Sequence, residues 1–133
     1  MKQPTFRCPT QIAIQTLAKE FSYPNDSYMQ DWEYEVAVLS DIEKYFTKYA
    51  ATNVPDIRFT LAKMMLETSN ENSEFDWLSA VWPRLRQLLL ANFELHEYTI
   101  FYWCSFESEN IDDTFYISPY MRQLWNEVIN SRE

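Results

Sequence analysis

Glycine is absent from this 133-residue chain. Ordinary usage of ~7% would supply roughly nine, so the absence excludes several chemistries. There is no Gly-rich phosphate loop, no dinucleotide-binding turn and no strand-to-helix elbow for a nucleophilic serine. Two-residue hairpins are hard to close, because their turns need Gly where φ is positive. Helices joined through Asn, Ser and Pro are easier to build from what remains. The missing glycine tilts the fold towards all-α.

Histidine and cysteine are scarce. One His and two Cys, at their spacings, cannot assemble a zinc knuckle. Cys8 and Cys104 are taken as reduced thiols, since spacing alone establishes no disulfide. The one histidine lies in Glu94-Leu95-His96-Glu97. This is not a His-Glu-x-x-His helix, because Ile100 stands where the second histidine would be. A di-iron bundle would need two Glu-x-x-His elements. His96 is therefore expected at the surface or half-buried. No metal, cofactor or catalytic residue is assigned, and a non-enzymatic role is expected.

Long apolar runs are missing too. Nothing approaches the ~18 consecutive apolar residues of a membrane span, and residues 1–9 lack the apolar core of a signal peptide. A soluble cytoplasmic protein is the expectation. Positive charge is in deficit, with 11 Lys and Arg against 20 Asp and Glu and a net charge of -9. From 20 to 43 the chain holds seven acids and no Lys or Arg; from 67 to 113 it holds ten acids against Arg84 and Arg86. Such a surface repels phosphate backbones and anionic membranes, so neither nucleic acid nor membrane is an expected partner. A basic protein is, because complementary fields speed encounter and set orientation.

What the chain has in quantity is apolar and aromatic mass, 47% and 17% of residues. That suffices for a real core, and a single helical domain over 1–133 is expected. Periodicity predicts a first helix over 10–21 with Ile14, Leu17, Ala18 and Phe21 inward. Ser27 and Gln30 offer a capping box for a long helix reaching Ala51, striped by Trp32, Val36, Leu39, Ile42, Phe46 and Tyr49. Residues 52–55 break the pattern before Pro55. A third helix over 56–68 turns Ile57, Leu61, Met64, Met65 and Thr68 inward, and 69–72 reads as a polar linker.

Ser73 and Asp76 can cap the next helix, where Leu78, Val81, Trp82, Leu85, Leu88, Leu89 and Asn92 follow the helical period. Pro83 either kinks that helix or starts a new one. Residues 94–106 read as a buried helix. The loop 107–113 is acidic, and Ser118 with Pro119 opens a last helix that turns Met121, Leu124, Trp125 and Val128 inward and frays by Asn130. The expected fold is all-α, five or six helices packed around the segment 73–106. The alternative is mainly α with a small two-stranded element near 98–106 and 114–117, favoured by local β propensity but marginal as an isolated pair.

Candidate functional residues follow from charge beside aromatics. Asp31, Glu33 and Glu35 point in different directions around a helix and suit a solvated face. The loop acids lack the glycine and terminal glutamate of an EF-hand. Trp103 is assigned to the core. Tyr98 and Tyr116, with Glu94, Glu97, Glu107, Glu109, Asp112 and Asp113, form the expected partner-binding edge, where Tyr anchors and carboxylates meet Lys or Arg. The expected role is a small acidic protein-binding protein. Its concrete form is an immunity protein or antitoxin that neutralises a basic, nuclease-type toxin by occlusion. The rival expectations are an adaptor subunit docking through an apolar helix face and a metal-assisted hydrolase using Glu94, Glu97 or the 107–113 loop.

Overall fold

The structure, a computed structural model, describes residues 3–26, 28–71 and 75–132, the side chains of 75–77 excepted. Among these residues all regular structure is helical and there is no strand. The helices are α1 (Gln11–Phe21), α2 (Trp32–Glu35), α3 (Ile42–Ala51), α4 (Pro55–Glu71), α5 (Phe75–Ala91), α6 (Phe93–Cys104) and α7 (Ser118–Arg132). Tight helical turns at Leu39–Asp41 and Ile111–Asp113 complete the list. The chain is all-α: of the alternative strand pair, 98–104 belongs to α6, while 105–106 and 114–117 are turns and irregular chain. Two compact units divide it: an N-terminal unit, Cys8–Ser69, and a C-terminal unit, Asn70–Glu133 together with Met1–Arg7.

In the N-terminal unit, α1 starts where its cap predicts. The Thr10 hydroxyl accepts from the Ala13 N–H at 3.1 Å, answering one of the donors a helix start leaves open. Ala13, Ile14, Leu17 and Ala18 are buried. The helix ends on Ser22 in the left-handed region, φ 58°. Glycine usually takes that position because it has no Cβ to clash. In a glycine-free chain serine serves instead.

The expected long helix up to Ala51 does not form. The chain makes the short α2, steps through extended backbone at Val38 (φ -132°, ψ 140°), turns at Leu39–Asp41 and only then enters α3. Helical periodicity is present, but tertiary bonds override it. The Trp32 Nε1–H donates to the Pro24 carbonyl at 2.7 Å, and the Val38 N–H donates to the Tyr45 hydroxyl at 3.1 Å. The β-branched Val36 and Val38 also resist helix slightly. The expected capping box involves Ser27, which lies outside the described residues; the Asp31 N–H donates to Glu35 at 3.0 Å. The break resets the inner face, so Tyr45 is fully buried in α3 and Phe46 only half-buried.

Glu33 corrects a second expectation. It is 4% exposed and pairs with Lys63 at 3.0 Å, so it does not belong to a solvated face. The Lys63 ammonium also lies 5.0 Å from the Tyr34 ring centre and 5.6 Å from that of Phe59.

The third helix outruns its expected end. Residues 69–71 of the expected linker are the last turn of α4, while Asn72 lies outside the described residues. Thr68 and Ser69 donate their hydroxyls to the Met65 carbonyl at 2.9 and 2.7 Å. Hydroxyls bonded within the helix can be buried cheaply, which lets a polar-looking stretch stay helical. From 59 to 66 every residue of α4 is buried, the longest such run among the described residues.

In the C-terminal unit, α5 runs across Pro83. Pro83 and Ser79, whose carbonyl loses its usual partner, are both exposed, so water can serve that carbonyl. The cap expected at Ser73 lies outside the described residues. Leu78, Val81, Leu85 and Leu89 are buried. In α7, Met121, Leu124 and Trp125 are buried, and the helix continues past Asn130 to Arg132. Trp125 packs on Phe93, Phe101 and Phe106 with ring centres 5.9, 5.3 and 6.4 Å away.

Candidate functional site

Helix α6 carries three of the eight expected site residues, Glu94, Glu97 and Tyr98, and the other five follow it in the chain. Its inner face is Phe93, His96, Thr99, Ile100, Trp103 and Cys104, all buried. Trp103 is core, as expected. His96, expected at the surface or half-buried, is core too: at 0% exposure it lies inside, where the helical period groups it with Thr99, Ile100 and Trp103. The Cys104 thiol is pushed up from 9.0 to about 12 by burial, with Arg122 acting weakly the other way. Both cysteines are free thiols, Cys8 exposed and Cys104 buried.

The outer face of α6 is marked by Glu94, Tyr98 and Tyr102, spaced four residues apart and so stacked along one side. Tyr98 is half-buried beneath Phe6, with rings edge to face at 5.1 Å. Tyr102 is 42% exposed and Phe6 67%. Tyr102 stacks on Phe115 at 5.7 Å, and Phe115 also meets Trp103 at 4.7 Å. The result is an aromatic edge along the helix. Tyr102 was not among the expected site residues; its spacing from Glu94 and Tyr98 is the signal that marks it.

The expected acids fall at the two ends of this edge and not in one patch. Glu94 and Glu97 lie in the first turns of α6; Glu107, Glu109, Asp112 and Asp113 lie in the loop beyond its C-terminus. A helix of this length spans ~18 Å. Glu94, Glu107, Glu109, Asp112 and Asp113 are exposed and Glu97 half-exposed. None of the six forms an ion pair among the described residues. Tyr116 is half-buried in the turn that leads into α7.

Local bonds shape the acidic loop. Ser105 takes the left-handed cap of α6, φ 53°, and its hydroxyl donates to Glu107 at 3.1 Å. The Asp112 N–H donates to the Asn110 side chain at 3.0 Å. Arg122 of α7 closes the corner: Nε donates to the Cys104 carbonyl at 2.7 Å, and Nη2 to those of Ser105 and Ser108 at 2.7 and 3.1 Å. A cation suits the negative end of the helix dipole. Ser118 Oγ donates to the Trp103 carbonyl at 2.7 Å and accepts from the Phe115 N–H at 3.1 Å. The Ile117 N–H donates to the Asn70 side chain at 3.3 Å. The loop therefore leaves and rejoins the helices at tied points.

A second polar cluster lies in the N-terminal unit. The Tyr23 hydroxyl donates to Asp41 at 2.5 Å and accepts from Tyr45 at 2.5 Å, while Tyr45 accepts from the Val38 N–H. The carboxylate fixes the direction of the whole chain of bonds. Burial raises both phenols, and for Tyr23 the bonds to Asp41 and Tyr45 raise it further. Phenols this reluctant to ionise are ties and not nucleophiles. An open groove of about 660 Å³ beside them is lined by Glu20, Phe21, Ser22, Glu43, Lys44, Thr47, Lys48 and Ala51.

Among the described residues no three His, Cys, Asp or Glu side chains converge as a metal site would require. Nor is any helix there long and apolar enough to cross a membrane. No protein-family model matches the chain, and neither a curated protein nor a solved structure shows significant similarity to it.

Proposed function

We propose that this chain is an acidic protein-binding protein that neutralises a basic partner. Its concrete form is a cytoplasmic immunity protein or antitoxin that covers the phosphate-binding surface of a nuclease-type toxin. The observation that carries this reading is the set of six carboxylates at the ends of α6, without an ion pair among the described residues, beside an exposed aromatic edge. Partner Lys and Arg side chains that would otherwise hold phosphate meet those carboxylates. Exposed ion pairs contribute only ~0.2–1 kcal/mol each, so the acids mainly speed and orient encounter. Tyrosines of this edge that the partner covers contribute most of the affinity, as interface anchors of ~2 kcal/mol or more do.

The test is titration against the toxin-like product of a neighbouring gene, following its nuclease activity and the Kd as salt is raised. Inhibition is expected, with affinity falling at least about tenfold between 50 and 500 mM salt. Affinity indifferent to salt would remove the electrostatic basis. Phe6 and Tyr102 favour a second reading, an adaptor docking through an apolar helix face. That reading predicts self-association and little salt dependence, and light scattering separates the two.

A further inference from the structure

We propose that residues 3–7 are a displaceable cover on α6, which keeps the partner-binding edge closed through Phe6 until a basic partner takes its place on Tyr98. This rests on the protein-binding reading above and adds its regulation. The covering stretch belongs to the same compact unit as α6. Phe6 meets Tyr98 edge to face at 5.1 Å, so the tyrosine expected to anchor a partner is already engaged from within the chain. A partner that uses the Tyr98 ring must first move Phe6.

The cover is lightly held. Among the described residues, 3–6 take part in no hydrogen bond, and the ring contact with Tyr98 is the tie that the structure shows for them. None of residues 3–7 is buried, and Phe6 is 67% exposed. Few buried contacts and an unbonded backbone put a segment at the low-stability end of a fold. The sign of its charge also fits. From 1 to 19 the chain carries Lys2, Arg7 and Lys19 and no acid, whereas Tyr98 follows Glu97 directly and lies one helical turn from Glu94. A stretch with the charge of the proposed partner therefore lies on the acidic start of α6, as a competing internal ligand would.

The full chain is compared with Phe6→Ser and Phe6→Tyr by fluorescence anisotropy. The probes are a labelled lysine-only peptide and one of equal length with a central pair of phenylalanines. Nitration of Tyr98 by tetranitromethane, mapped by mass spectrometry, reads the cover directly. An edge-to-face pair changes an equilibrium constant about two- to tenfold, and a closed site lowers apparent affinity by the fraction that is open. Phe6→Ser should therefore bind the Phe-bearing peptide about two- to tenfold more tightly, with faster Tyr98 nitration. Phe6→Tyr keeps the ring and should behave as the unsubstituted chain. The lysine-only peptide meets carboxylates alone and should gain less than about twofold. Unchanged or weaker binding of the Phe-bearing peptide to Phe6→Ser overturns the cover, and so does unchanged nitration. If the peptides still bind in a salt-dependent way, the protein-binding reading survives that failure; if neither peptide binds any of these chains, both fall.

Discussion

In the N-terminal unit Lys63, Lys44 and Lys48 lie against carboxylates, at 3.0 Å from Glu33, 3.4 Å from Asp41 and 3.7 Å from Glu20. In the C-terminal unit Arg86 pairs with Glu127, but Arg122 goes to three carbonyl oxygens and Arg132 to a ring face. The charge ratios are similar, nine acids to five bases in the first unit and eleven to six in the second. What differs is where the cations are needed. The C-terminus of α6 turns sharply at Ser105 and leaves carbonyls to be capped, and Arg122 fills that role. A guanidinium engaged with the backbone is not neutralising acids, and the six carboxylates around α6 form no ion pair among the described residues. Composition alone says nothing of this asymmetry.

The comparison breaks most visibly at Lys63. Lys63→Ala leaves Glu33 buried without its cation and should cost about 3–5 kcal/mol in urea unfolding. Replacing both partners, Glu33→Gln with Lys63→Met, should recover at least half of that. Arg122→Met removes three charge-assisted bonds in the other unit and should cost about 2–4 kcal/mol. Arg122→Lys keeps the charge but not the fork, and should recover only part of the loss.

Alkaline pH probes both units. Between 9.0 and about 12 the folded chain keeps the Cys104 proton that the unfolded chain releases. The stabilisation is complete below the unfolded value and falls by ~1.4 kcal/mol per pH unit above it. Cys104→Ala should flatten that slope in unfolding measured from about pH 8 to 11. Tyr23 and Tyr45, both raised, add a loss of the same sign above the ordinary tyrosine value near ~10, and Tyr45→Phe should reduce it.

The two serine caps sharpen the comparison on a finer scale. Ser22→Gly relieves a left-handed residue and should raise stability by up to about 1 kcal/mol. Ser105→Gly should gain less, because it also loses the bond to Glu107. The smallest effect is expected in the acidic loop. Glu109→Gln, Asp112→Asn and Asp113→Asn should each change stability by less than about 0.5 kcal/mol. In the same variants affinity for a basic partner should drop.

Much of the helical framework is legible in the chain. The cap at Thr10, the apolar faces of α1 and α7 and the core role of Trp103 all follow from local pattern. The failures share a cause. Residues 28–41 carry a helical stripe, yet the Pro24 carbonyl, Lys63 and Tyr45 supply competing partners from elsewhere in the unit. His96, flanked by Glu94 and Glu97, looks like a surface residue until helical phase places it with Ile100 and Trp103. Tyr102 is passed over because three consecutive aromatics do not reveal which one faces out.

The sequence by itself determined that the chain is helical and acidic and that its left-handed caps cannot be glycine, because propensity, charge and composition act residue by residue. The tertiary structure alone decided where the expected long helix breaks, which carboxylate is buried against a lysine and which six form no ion pair among the described residues. Those outcomes depend on desolvation and on partners such as Lys63 for Glu33 or the carbonyls of Cys104 and Ser105 for Arg122. Such partners are brought together by packing, and no local periodicity encodes them.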